Sequence, residues 1–243
     1  MNAAKVIGLS AGGHARVVIE ALRGSSCLQI IGLLDPDHRL HGTEVLDIPV
    51  LGNDDLLPGI REQGVSHAFL GVGSCRPSMI RFRLFERLRQ LGFDVVPTIH
   101  PDTTVSPSAQ LGAGPTLLAR SVINAGVRIG DNVLINTGAI VEHDCCIGDH
   151  AHIAPGACLA GAVTVGEGAH VGLMAAVREG VRIGRFALIG AGAVVVRDVP
   201  ECAIILGVPG RQVGTIDPRK IKDRTEGTFQ VGTDDASNPS LGI

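Results

Sequence analysis

"VRIGDNVLINTGAIVEHDCCIGDHAHIAPGACLAGAVTVG", residues 127–166, places an aliphatic residue at every sixth position: Ile129, Ile135, Val141, Ile147, Ile153, Leu159 and Val165. Four places after each of the first six stands a small residue: Val133, Ala139, Cys145, Ala151, Ala157 and Val163. Both columns continue in each direction, the aliphatic one without a gap from Val105 to Val195 and the small one from Ala109 to Val199, interrupted by Pro115. A six-residue period is too long for strand alternation and out of phase with a helix. It suits a short strand followed by a turn, three of which close one triangular coil. Residue n then lies beneath residue n+18, and each coil rises about 4.8 Å, the ordinary spacing between strands. The aliphatic column faces inward and the small column fills the crowded corners. The chain has no Trp or Tyr and has 33 glycines in 243 residues. Its core is therefore close aliphatic stacking rather than aromatic plugs.

The character of the sequence changes near residue 100, which divides the chain into an α/β unit at 1–100, the coils at 101–216 and a polar, turn-rich tail at 217–243. "KVIGLSAGGHARVVIEAL" (5–22) reads as a strand, a glycine-rich turn and a helix with Val17, Val18, Ala21 and Leu22 on one face. "IIGLLDPD" (30–37) is a second strand ending in acidic residues, and "HAFLGVGS" (67–74) a third. A helix from about Pro77 to Leu91 follows, and "DVVPTIHP" (94–101) leads into the coils. This is a Rossmann-like unit with parallel strands. Backbone N–H groups at its first turn are suited to phosphate, and Asp35 lies about twenty residues on. Ser10 stands where a dinucleotide fingerprint has its first glycine. The turn thus reads as dinucleotide-binding, as purely structural, or as a seat for a mononucleotide diphosphate.

A net charge of −3 gives no basic footprint for nucleic acid. No window approaches the roughly 18 unbroken apolar residues of a membrane span. The opening "MNAAKVIGLSAGG" lacks the charged, apolar and small-residue order of a signal peptide. Six cysteines without CxxC spacing read as reduced, mostly structural thiols. A cytoplasmic protein that engages neither nucleic acid nor membrane is expected.

Within the coils, His143 is the third residue of its repeat and points outward, with Ala125 eighteen residues below and Gly161 eighteen above. A histidine beside a small notch suits a general base, because imidazole titrates near working pH, and the adjoining Asp144 can orient the ring. His152 stacks beneath His170 one coil higher. Leu134 below the pair supplies no third ligand, so no metal is expected. His150 reads as a solvated turn residue. Cys145 belongs to the inward column, and Cys146 and Cys158 face out. Cys146 acting as a nucleophile is the chemical rival to a histidine base.

Uninterrupted repeats of this kind resemble the hexapeptide acyltransferases, which implies a left-handed parallel β-helix, a homotrimer and acyl-CoA bound in grooves between neighbouring helices. The combination of "SAGGHARVV", "LLDPD", "GVGS" and the long coil domain, over about residues 4–212, resembles the bacterial sugar O- and N-acyltransferases. The nearest likeness is to acetyltransferases of UDP- or GDP-linked 4-amino-4,6-dideoxy sugars of the bacillosamine and perosamine types, with the sialic acid O-acetyltransferases nearby. The resemblance implies that Gly12, Gly13, His14, Asp35, Pro36 and Gly73 hold a nucleotide sugar. Relatives often carry asparagine at the position of Ser74 and a second acidic residue at that of Pro36. "EHDCCIGDHAH" resembles the catalytic segment, which implies His143 as base, Asp144 as the group raising its basicity and His152 as a contact to acetyl-CoA. Gly161, Leu173 and Ala191 match segments lining the CoA groove, and Arg211 matches a position near the CoA phosphates. A backbone N–H such as that of Gly161 can hold the developing oxyanion. The implied reaction is acetyl transfer from acetyl-CoA to a sugar amine. An O-acetyltransferase acting on sialic acid or another sugar hydroxyl, and a non-catalytic sugar-nucleotide-binding scaffold, are the competing readings.

Overall fold

The computed structural model describes residues 3–24, 27–73 and 79–217. Ser74, the start of the helix expected at Pro77 and nearly all of the expected tail lie outside the described residues.

The first half alternates strands and helices: β1 (Ala4–Leu9), α1 (Gly13–Arg23), β2 (Leu28–Leu34), β3 (Glu44–Val45), β4 (Ile48–Gly52), α2 (Leu57–Glu62), β5 (His67–Leu70), α3 (Met79–Gln90) and β6 (Asp94–Val95). They form one sheet in the order β3-β4-β2-β1-β5-β6, parallel except for the β3–β4 hairpin. The chain goes from β1 to β2 on one side and later returns to β5 on the other. This reversal opens a crevice beyond the carboxyl end of β1, where open α/β sheets bind ligands. In α1 the buried face is Ala15, Val18, Ile19, Ala21 and Leu22. Val17, expected on that face, is instead 38% exposed. A spacing of i, i+3, i+4, i+7 from Ala15 takes in Val18, Ile19 and Leu22 and leaves Val17 on the opposite side.

From Thr98 the chain winds as a left-handed parallel β-helix on three faces, of two-residue strands up to Val194–Val195 and a four-residue strand, Ala203–Leu206, in the last coil. The first face runs from Thr98–Ile99 to Ala203–Leu206, the second from Thr104–Val105 to Val194–Val195, and the third from Gln110–Leu111 to Arg182–Ile183. Partners are eighteen residues apart throughout, as in Ile135↔Ile153, Ile153↔Val171 and Val171↔Ile189. Only the last coil is shorter, with Ile189↔Ile205 and Ile183↔Val199. From Leu117 to Val199 the aliphatic and small columns form one buried core. A third column completes the repeat. From Leu111 to Ile189 the turn residue three places after each aliphatic one takes a positive φ, including Asn132 (55°), Asp144 (61°), His150 (59°) and Met174 (55°), and glycine takes it at 126, 138, 156 and 168. Glycine, Asn and Asp populate this left-handed region most readily.

Candidate active site

The turn between the second and third faces carries His143. Its Nδ1 lies 2.9 Å from Asp144 Oδ2, and both side chains are largely exposed. The carboxylate accepts from the Nδ1–H, which leaves Nε2 as the lone-pair nitrogen. The Asp144 hydrogen bond raises the pKa of His143, and the charges of Asp144, Glu142 and Glu179 add to it. Glu142 Oε2 accepts from the His143 backbone N–H at 3.2 Å and from Asn124 Nδ2 at 2.9 Å, bracing the turn. A side chain on Gly161 would put its Cβ 2.6 Å from His143 Cε1 and 2.7 Å from Nε2. The notch read from the sequence is therefore the space that the imidazole itself uses.

His152 lies on the first face, away from the turn of His143. His152 and His170 pair in register, and their rings meet edge to face with centroids 4.6 Å apart. Asn136 Oδ1 accepts from the Thr137 N–H, so its Nδ2 is turned to His152 Nε2 at 3.2 Å, and that nitrogen is the acceptor. Burial lowers His170 to about 4. No group of three or more His, Cys, Asp or Glu side chains able to hold a metal occurs among the described residues. Leu173 and Ala191 stack at the corner between the first and second faces, where the Gly192 N–H donates to Leu173 O, and both are exposed. Arg211 is exposed at the start of the last strand, Arg211–Thr215, which pairs antiparallel with Ala203–Leu206, and it donates to Gly210 O of its own turn.

His150 corrects the sequence reading. It is half-buried rather than solvated, with its ring centroid 4.2 Å from Phe82 and 5.6 Å from Phe85 of α3. Its Nδ1 lies 2.9 Å from Asn132 Nδ2, and burial lowers its pKa. The histidine joins the coil to the α/β half. Cys145 is buried in the core, where its thiol donates to Ala160 O and is pushed up to about 11 by burial. Cys146 Sγ lies 2.8 Å from Arg128 Nη2, a donor rather than a base.

At the carboxyl ends of β1, β2 and β5 the structure gathers Gly12, Gly13, His14, Asp35 and Gly73. Asp35 is buried, and its two oxygens accept from the Ala11 N–H (2.7 Å) and the Asp37 N–H (2.9 Å), tying the first turn to the end of β2. Pro36 beside it is exposed. His14 packs on Gly73, where an added Cβ would be 3.2 Å from its Cγ. Burial, assisted by the charge of Arg81, lowers His14 to about 4.

Two family models match the chain: the PglD N-terminal domain over residues 5–88 and the bacterial transferase hexapeptide (six repeats) over 126–161. PerB from Caulobacter crescentus, solved in complex with CoA and GDP-perosamine, is 43% identical, with 86% of this chain and 97% of that one covered and a TM-score of 0.81. The acetyltransferase domain of PglB from Neisseria gonorrhoeae, solved in complex with acetyl coenzyme A, is 35% identical over 87% of this chain and 100% of that one, with a TM-score of 0.78. WeeI from Acinetobacter baumannii is 25% identical over 86% of this chain and 100% of that one, with a TM-score of 0.75. No curated protein sequence matches the chain. With an α/β half, an unbroken hexapeptide coil and near-complete coverage of such relatives, the chain belongs to the hexapeptide-repeat family of CoA-dependent sugar N-acetyltransferases with a PglD-type N-terminal domain.

Proposed function

We propose that the protein transfers the acetyl group of acetyl-CoA to the 4-amino group of a UDP- or GDP-linked amino-dideoxy sugar. The His143–Asp144 pair carries this reading. An exposed imidazole is oriented through Nδ1 by a carboxylate, with Nε2 free, on the outside of a coil whose fold serves acyl transfer. As the sugar nitrogen attacks the thioester carbonyl, Nε2 of His143 takes its proton, Asp144 stabilises the imidazolium and the CoA thiolate leaves. The Gly161 backbone is close enough to the ring to line the same site and stabilise the oxyanion. His152, Leu173, Ala191 and Arg211 are assigned to acetyl-CoA. Gly12, Gly13, His14, Asp35, Pro36 and Gly73 are assigned to the nucleotide sugar, with Asp35 serving to brace the loop.

His143 lies at the corner between the second and third faces and His152 on the first face. This separation supports a homotrimer in which neighbouring chains share each site. No helix among the described residues is long and apolar enough to cross a membrane, which together with the free thiols supports a cytoplasmic location.

The test offers acetyl-CoA with a panel of UDP- and GDP-linked 4-amino sugars and their 4-hydroxy counterparts, following release of free thiol. Turnover of an amine acceptor is expected. Turnover of hydroxyl acceptors alone assigns an O-acetyltransferase, and binding without turnover assigns a scaffold.

A further inference from the structure

Arg81, on α3, is a buried charge that the catalytic reading does not use. Its side chain is only 4% exposed, and among the described residues no carboxylate pairs with it. Its guanidinium donates instead to the carbonyls of Leu70 (3.3 Å) and Val72 (2.8 Å), at the end of β5, and to Thr116 Oγ1 (2.9 Å) of the coil. Nε is buried and has no hydrogen-bond partner among the described residues. The Arg81 carbonyl lies 3.4 Å from Asn132 Nδ2, the amide that also meets His150. One side chain thus joins the β5 loop to the first coils. Burying a cation with no counter-charge is costly, and the cost is offset when an anion completes the site.

The surroundings point to where that anion lies. The carbonyls that Arg81 holds flank Gly71, where an added Cβ would be 2.8 Å from that of Ala15 in the first turn of α1. The charge of Arg81 also acts on His14 in the same turn. The amino terminus of α1 has no side-chain cap and no acidic residue in its first turn, so its N–H groups are free to receive a negative group.

We propose that Arg81 is a positioning residue for the diphosphate of a nucleotide substrate, its unpaired buried charge beneath the Gly71–Gly73 loop favouring a diphosphate at the first turn of α1. This rests on the nucleotide-sugar reading above. Burial lowers Arg81 to about 10, which leaves it charged at neutral pH. A charge under protein is screened by salt far less than one at the surface.

Two substitutions separate charge from shape. Arg81→Gln keeps donors and loses the charge, whereas Arg81→Lys keeps the charge and loses the fork. With the full chain, calorimetric dissociation constants are measured for GDP, UDP and acetyl-CoA. Arg81→Gln is expected to weaken diphosphate binding about tenfold, the scale of one charge acting across a loop rather than in direct contact, and to leave acetyl-CoA binding unchanged. Arg81→Lys, which keeps the charge without the fork, is expected to lose less diphosphate affinity than Arg81→Gln. Wild-type affinity in Arg81→Gln, or equal losses for both ligands in both variants, overturns the proposal. Should Arg81→Gln not fold, the wild type decides. Raising NaCl from about 0.05 to 0.5 M should reduce diphosphate affinity less than about threefold. A larger loss assigns the attraction to exposed cations such as Arg16 and overturns the role of Arg81. If the wild type binds neither GDP nor UDP, the nucleotide reading fails and this inference with it, whereas wild-type binding unaltered in Arg81→Gln removes only the role of Arg81.

Discussion

His143 lies over Gly161 so closely that a Cβ at residue 161 would stand 2.6 Å from the ring. Gly161 does not have a positive φ, so its backbone accepts alanine and the conflict falls wholly on the imidazole. Gly161→Ala should push the ring off its site and lower kcat at least about tenfold, since small displacements of a positioned group are costly. Thermal stability should be unchanged, because the ring is exposed and free to turn away. Normal turnover in Gly161→Ala would show that the position of the ring is irrelevant to the reaction.

Removing the imidazole is the more direct test. His143→Ala should lower kcat by about 10²–10⁴-fold, the usual contribution of a positioned base. The affinity for acetyl-CoA should change little, because the side chain acts on the acceptor. Steady-state kinetics at saturating substrates decide it, and near-normal kcat would remove His143 from the mechanism.

Asp144 acts through the pKa of its neighbour. Its hydrogen bond to Nδ1 is the largest contribution raising His143. In Asp144→Asn the ring holds its proton less tightly, so the deprotonated base persists to lower pH. The acidic limb of the kcat/KM profile for the sugar nucleotide should move down in pH, with kcat reduced less than in His143→Ala. Asn tolerates the left-handed turn that Asp144 occupies at φ 61°, so the backbone should hold. An acidic limb that stays in place or moves up would mean that Asp144 does not tune His143.

The coil was legible because each position in its repeat answers to one physical demand. Ile135 and Val171 are inward and aliphatic, and Ala139 and Ala175 are small at a corner. The left-handed turn column was harder to read. Gly, Asn and Asp mark it at 126, 132 and 144, but Arg120, Ala162 and Phe186 fill the same slot and hide the signal. The outward direction of His143 followed from register alone, as did the stacking of His152 beneath His170. His150 was misread because its burial comes from Phe82 and Phe85, distant in the chain, and no hexapeptide rule places α3 against the coil. Arg81 was missed for the same reason. An arginine among "MIRFRLFERLRQ" looks like any solvated helix charge until the β5 carbonyls and Thr116 close around it. Val17 falls off the buried face because it stands two residues after Ala15, about 200° around the helix from it, whereas Val18 and Ile19 at i+3 and i+4 stay on the stripe.

Those buried imidazoles have a consequence for acid stability. His14 and His170 are each lowered to about 4, mainly by burial, while an unfolded chain protonates its histidines near pH 6.5. Between about pH 6.5 and 4 the unfolded state therefore binds more protons than the folded one. Stability is full above that window and is lost as pH falls through it, by on the order of 3 kcal/mol for each such group when fully expressed. His170→Phe removes one of the two groups. It also replaces a buried Nδ1 that has no hydrogen-bond partner among the described residues with carbon of similar shape, in a cleft already lined by Phe82 and Phe186. The substitution should hold or raise Tm at pH 7.5 and flatten its decline between pH 6.5 and 4.5, leaving the shares due to His14 and His150. Melting curves of wild type and His170→Phe across that range decide it. Parallel declines would show that His170 takes up its proton within the folded protein at little cost.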